Sequence, residues 1–221
     1  MAVRYVIALS VLMMLLNCDY CSTYKPNITA AGGKGPCVVD ACMTEIAKIM
    51  QNVIGRDIST FIRRIGYVES QFGAHGNTYR ENYHGGIWQL DEDGFLETQA
   101  IGSHSYLQGK LDFIKTTLGI DWLKVTWQDM RKPLYSAIAS LLYLGNISPI
   151  IPPDSDINGQ AQYWKDHYNT QSGEGTVQHF TDNVQLLEGP NGPKCHIRRK
   201  SGIRTRRRSH ARRQNDFFFS L

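Results

Sequence analysis

YVESQFGAHGNTYRENYHGGIWQLD, residues 67–91, is the stretch on which the reading of this 221-residue chain turns. It continues a segment, 57–68, in which Ile58, Phe61, Ile62, Ile65 and Val68 recur at helical spacing and Asp57 stands where a cap belongs. At about 100° per residue, Glu69 points about 20° from the direction of Ile58 and about 20° from that of Ile62. Its carboxyl is therefore expected on the apolar stripe. A carboxyl placed there loses hydration and its pKa rises, as a general acid working near neutral pH requires. Gly73 and Gly76 are expected to end the helix, and Gly85-Gly86 to allow a tight turn or close backbone approach. Ile87-Trp88-Gln89-Leu90 alternates as a short strand that Asp91 ends. The expected result is a helix end beside a small turn-rich β region, with a cleft between them. The plainer reading is that most glutamates near a helix end are solvated and most Gly-Gly pairs are only turns.

Glu69-Ser70-x-Phe72, then Gly86-x-x-Gln89, resembles the signature of soluble lytic transglycosylases and goose-type lysozymes. YSAIASLLYL (135–144) resembles that superfamily's buried helix, and Tyr168-Asn169 followed by Gly173 resembles its Tyr-Asn motif. The four segments run in the family's order across residues 57–175. His167-Tyr168-Asn169-Thr170-Gln171 departs from the family's Ala-Tyr-Asn-Ala-Gly run, with the glycine displaced. The resemblance implies a mainly α (α+β) lysozyme-like helical domain with a turn-rich β region beside the cleft. It implies that Glu69 protonates a glycosidic oxygen, that Tyr168 contacts Glu69, and that Gln89 lies near the bound sugar. Asp91, directly after Gln89-Leu90, stands where goose-type lysozymes carry an aspartate.

Cleaving a β-1,4 bond needs an acid for the leaving oxygen and either a base for water or an internal nucleophile. Glu69 is the expected acid and Asp91 the expected second carboxylate, with Asp93 as its fallback and a turn-forming aspartate as the ordinary alternative. Without a working base, the sugar's own N-acetyl group would attack and leave an anhydro product. Tyr83, Trp88, Gln89, Tyr168 and Asn169 are the expected substrate-binding residues. Tyr79 is a further aromatic that could meet a sugar, although such rings are more often packing. His75 and His84 lack a metal-ligand pattern; no metal and no cofactor are expected. Ser70 lacks the Gly-x-Ser-x-Gly elbow of a hydrolase nucleophile. The implied substrate is peptidoglycan or a related N-acetylated glycan. The alternatives are a chitin- or chitosan-degrading glycosidase, a non-catalytic sugar-recognition protein, and a precursor whose cationic tail is the active product.

Residues 1–18 read as a signal peptide, with Arg4 before an apolar run too short to span a bilayer, so a secreted, extracellular monomer without a transmembrane segment is expected. Five cysteines stand at 18, 21, 37, 42 and 195. Cleavage after Cys18 leaves an even set of four, with three possible pairings. A zinc site at Cys37 and Cys42 is disfavoured by their spacing and by export. Residues 19–42 read as an extended lead-in carrying the sequon Asn27-Ile28-Thr29; a second sequon, Asn146-Ile147-Ser148, precedes Pro149.

The catalytic domain is expected over 43–190. Helices are predicted at 43–54, 57–68, 105–118, 134–144 with Pro133 as first residue, 159–168 and 176–187, with a short helical piece at 121–127 and irregular chain from 92 to 102. The central 134–144 helix is apolar nearly all round and should be the buried one. Residues 194–221 hold ten of the 24 Lys and Arg and one of the 20 Asp and Glu. The rest of the chain then keeps 14 basic against 19 acidic residues, a net −5, so the overall +4 belongs to the tail. Such a block is expected to be disordered and to meet anionic bacterial surfaces, and Arg204-Thr205-Arg206-Arg207 carries a dibasic processing pattern. Export and an acidic body argue against a specific nucleic-acid partner.

Overall fold

The structure, a computed structural model, describes residues 25–169 and 173–196. The expected signal peptide and most of the basic tail lie outside them. The chain is mainly helical, with seven α-helices and no strand among the described residues. They are α1 (Pro36–Ile54), α2 (Ser59–Ser70), α3 (Glu92–Glu97), α4 (Leu107–Leu118), α5 (Pro133–Leu144), α6 (Ile157–Tyr163) and α7 (Val177–Glu188). Short 3-10 turns at Trp122–Lys124 and Trp127–Arg131 join α4 to α5, and one turn of π-helix, Trp164–Tyr168, extends α6. No helix among the described residues is long and apolar enough to cross a membrane.

Helix α5 is the centre. It packs against α1, α2 and α3, and all of its residues except Tyr135 and Tyr143 are buried. Two of those buried residues are polar: Ser136 donates to Gly85 O, and Ser140 lies 3.3 Å from the Tyr168 hydroxyl. Helix α1 starts two turns earlier than the 43–54 expected, because Pro36 sits at its first turn, where a missing N–H costs nothing. The extended lead-in therefore ends at Gly35. Gly55, at φ 82°, closes α1 in the left-handed conformation. The buried face is Val38, Val39, Cys42, Ile46, Ile49, Met50 and Val53. Ala47, on the opposite side, is exposed.

Residues 25–35 wrap the body: Leu134 donates to Ile28 O (2.9 Å), Gly32 to Arg131 O (2.9 Å), and Gly35 to Phe72 O (2.7 Å). A disulfide joins Cys37 to Cys195 and so ties the end of the described chain to the start of α1. Cys42, by contrast, is a free buried thiol on the inner face of α1, and burial pushes its pKa well up. This corrects the expectation of a fully paired set of four. Cys21 lies outside the described residues.

Helix α2 carries the predicted stripe: Phe61, Ile62 and Ile65 have no exposed surface and Val68 almost none. Each such side chain contributes about 1.5–3 kcal/mol. Arg64, 4% exposed, anchors the helix from its other side. It donates to Glu188 Oε1 (2.7 Å), Gln160 Oε1 (2.6 Å) and Asp154 O (3.0 Å), binding α2 to α6 and α7. A buried guanidinium needs all of these acceptors. The cap at the start of α2 is Ile58; Asp57 forms a turn one residue earlier, where it accepts from the Ser59 N–H.

Candidate active site

Glu69 stands in the last turn of α2, on the apolar side as expected. The helix stops immediately after it, and not at Gly73 or Gly76. Gln71 (φ 51°) and Phe72 (φ 59°) take left-handed conformations, each costing about 1–2 kcal/mol for a residue with a Cβ. Burial of Phe72 and the bond from its N–H to Gly66 O (3.1 Å) hold the pair there. The Ser70 hydroxyl fastens this end to the next loop, donating to Ile87 O (2.7 Å) and accepting from the Gly73 N–H (2.8 Å). Ser70 is a staple.

The expected strand at Ile87–Leu90 does not form. Residues 86–89 make a tight turn. Gly86 has φ 65°, and a Cβ on it would lie 2.0 Å from Met130 O, so the turn presses its backbone against the 3-10 turn before α5. Ile87 and Trp88 are both fully buried, which alternation between two faces could not give. Trp88 therefore offers no face to a sugar: its indole donates to Ile62 O (2.9 Å), and Gly66 leaves room for the ring. Gln89 is also turned inward. Its amide donates to Thr78 O and Gly86 O and accepts from Arg80, locking the turn at φ 51°.

Glu69 is half-buried, and its carboxyl loses part of its hydration there. Burial raises its pKa from 4.5 to about 7, against a hydrogen bond from Trp164 that lowers it. The Trp164 indole Nε1 donates to Glu69 Oε1 at 2.8 Å. Among the described residues this is the carboxyl's only hydrogen bond, and Oε2 has no partner. Trp164 was not a sequence candidate. It lies one turn before Tyr168, on the same π turn, and that spacing is the signal that could have found it.

Tyr168 is buried near enough to Glu69 for the carboxylate charge to add to the burial that raises its phenol. Its hydroxyl, however, is spent on Trp88 O (2.8 Å) and lies 3.3 Å from Ser140 Oγ. The contact expected from Tyr168 to Glu69 is thus replaced by the bond from Trp164. Asn169 does not point to a free subsite: Lys165 Nζ donates to its Oδ1 (3.1 Å), and a Cβ on Gly173 would fall 2.4 Å from that atom.

Tyr83 completes the group. Burial first, then the charges of Glu69 and Asp91, raise its phenol to about 12, while Arg80 opposes them from over the ring at 3.5 Å. Tyr83 thus lies within electrostatic reach of both expected carboxylates, and its hydroxyl donates to Gln89 O (2.5 Å). Asp91 is exposed and caps α3, accepting from the Gly94 N–H with Oδ1 at 2.8 Å. The segment after it is thus a helix start where irregular chain was expected, although Asp91 followed by Glu92 and Asp93 is itself an N-terminal signal. Tyr79 serves the lead-in, donating to Gly33 O. Among the described residues no three His, Cys, Asp or Glu cluster as metal ligands.

Among the described residues the arrangement is a protonatable carboxyl with one oxygen held and one without a partner, near two phenols, one of which also feels the solvated carboxyl of Asp91. It can deliver a proton near neutral pH. Comparison of the chain with protein-family models, curated proteins and solved structures finds no match.

Proposed function

We propose that this chain is an exported lysozyme-like glycosidase that cleaves β-1,4 bonds of bacterial peptidoglycan, with Glu69 as general acid. One observation carries the reading: burial brings the Glu69 pKa to about 7 on a half-buried residue whose Oε2 meets no partner among the described residues. An acid with that pKa keeps its proton in a large share of molecules up to neutral pH and gives it up readily to a departing glycosidic oxygen. The resemblance of the Glu69, Gly86–Gln89, α5 and Tyr168 segments supports the same assignment.

Asp91 supports the second role. Its charge acts on Tyr83, the phenol that also feels Glu69, and among the described residues only its Oδ1 is engaged, in capping α3. In this reading it activates the water that attacks the sugar, and the product is a hydrolysed end. The basic tail, beginning beside the Cys37–Cys195 bridge, holds the acidic body on anionic bacterial surfaces.

The test is cleavage of purified peptidoglycan by wild type, Glu69→Gln and Asp91→Asn, with products weighed by mass spectrometry. Glu69→Gln removes the donor and keeps the size, so it should lose nearly all activity while remaining folded. Asp91→Asn should lose activity if Asp91 activates water. Anhydro ends, lighter by one water, with little loss in Asp91→Asn would place the attack with the N-acetyl group. Wild-type cleavage rates in folded Glu69→Gln would refute the assignment and favour sugar recognition without catalysis.

A further inference from the structure

The Glu69 carboxyl has two chemically equivalent oxygens, and only one arrangement of its proton serves a general acid. We propose that Trp164 is a positioning residue that assigns the Glu69 proton to Oε2, the oxygen left open. The inference rests on the reading of Glu69 as the acid.

The geometry is one-sided. An indole N–H can only donate, and Trp164 Nε1 sits 2.8 Å from Oε1. In a neutral carboxylic acid the carbonyl oxygen is a far better acceptor than the hydroxyl oxygen. Oε1 is therefore the carbonyl and Oε2 carries the hydrogen. No donor or acceptor among the described residues meets Oε2, so among them the proton has no acceptor to bind it and is left to face what enters the site.

The indole is fixed well enough to enforce this. Trp164 is 1% exposed and packs on Phe180 with ring centroids 5.4 Å apart. A Cβ on Gly175 would lie 2.3 Å from the outer edge of the ring, so the chain closes over it. The π turn is what brings Trp164 to Glu69 while Tyr168, four residues on, reaches Trp88 O. Tyr168 is thereby removed as a competing donor.

The same bond has a second consequence. It strengthens when Glu69 becomes an anion, so it opposes burial and steadies the carboxylate left after proton transfer. The other groups that face or feel this carboxyl are Tyr168 on the π turn and Tyr83 on the loop before Gly85, with Asp91 of the α3 cap acting on the same phenol. His179 of α7 lies beside the indole at 6.4 Å. All of these remain when only the indole N–H is removed.

The experiment uses the full chain with Trp164→Phe. Its second form replaces Trp164 by benzothienylalanine, which keeps the bicyclic shape and has sulfur in place of N–H. The infrared C=O stretch of protonated Glu69 is read at pH 5 as a difference against Glu69→Gln, and the carboxyl is titrated by carbon-13 NMR. The stretch should move to higher wavenumber in both variants, because the carbonyl loses its donor. The titration midpoint should rise by about one pH unit. The high-pH limb of glycan cleavage should rise with it, with kcat down about tenfold and KM changed less than twofold.

An unmoved stretch in folded protein means the proton was on Oε1 or shared, and overturns the proposal. A loss of kcat with stretch and midpoint unmoved makes Trp164 merely structural, and also overturns it. If stretch and midpoint move but even the wild type cleaves no glycan, the glycosidase reading falls and the proton assignment stands.

Discussion

The burial that raises the Glu69 pKa must also cost the native state stability as the pH rises, and Glu69→Gln should return it. The carboxyl has an ordinary pKa of 4.5, which the unfolded chain keeps, and about 7 in the folded chain. Below pH 4.5 both states hold the proton and the residue is neutral in each. Between 4.5 and 7 the folded state binds more protons than the unfolded, so stability falls by about 1.4 kcal/mol per pH unit. Above 7 the loss is complete, at about 3 kcal/mol if the carboxyl were wholly dry. The residue is only half-buried, and solvent screening reduces this to about 2 kcal/mol. Glutamine keeps the shape, cannot ionise, and can still accept from Trp164 Nε1. Urea unfolding of wild type and Glu69→Gln at pH 4, 5.5, 7 and 8.5 measures the difference directly. The two should agree at pH 4, and Glu69→Gln should be the more stable by about 2 kcal/mol at pH 8.5, with the denaturant slope unchanged. A gain in stability accompanied by loss of activity is the expected trade at a site that holds a charge out of water. A difference that does not vary with pH, or a Glu69→Gln protein less stable at pH 8.5, would refute the reasoning.

Gly86→Ala places a Cβ 2.0 Å from Met130 O at φ 65°, and should cost about 3 kcal/mol or more in thermal unfolding; a change within about 0.5 kcal/mol would show that the turn yields instead. The Cys42 thiol, buried and with a raised pKa, should resist an aromatic disulfide reagent in the native protein and react after denaturation. Cys37→Ser opens a loop of 158 residues and should lower stability by about 2–5 kcal/mol. Truncation after Cys195 should weaken binding to bacterial walls at low salt and matter little at high salt, where the Debye length falls to a few ångströms, about 3 Å at 1 M; equal binding of the two forms at low salt would exclude the tail as the tether.

What the sequence determined by itself was local. The spacing of Ile58, Phe61, Ile62, Ile65 and Val68 made α2 and set the angle of Glu69, because both follow from the pitch of a helix. The nearly all-round apolar character of 134–144 likewise marked α5 as the buried helix. Asp91 at a helix start was equally local, though an acidic run is easily taken for irregular chain. The tertiary structure decided what depends on distant partners. Two non-glycine residues, Gln71 and Phe72, end α2 because burial of Phe72 offsets their strain. Residues 86–89 fold as a turn in which Ile87 and Trp88 both find core, so the alternation that predicts a strand never acts. Cys42 stays unpaired because α1 carries it inward, away from the bridge that Cys37 makes. The donor on Glu69 comes from 95 residues away. No periodicity reaches that far: Trp164 meets Glu69 only because α6 and α7 pack on α2, and that packing is a property of the assembled core.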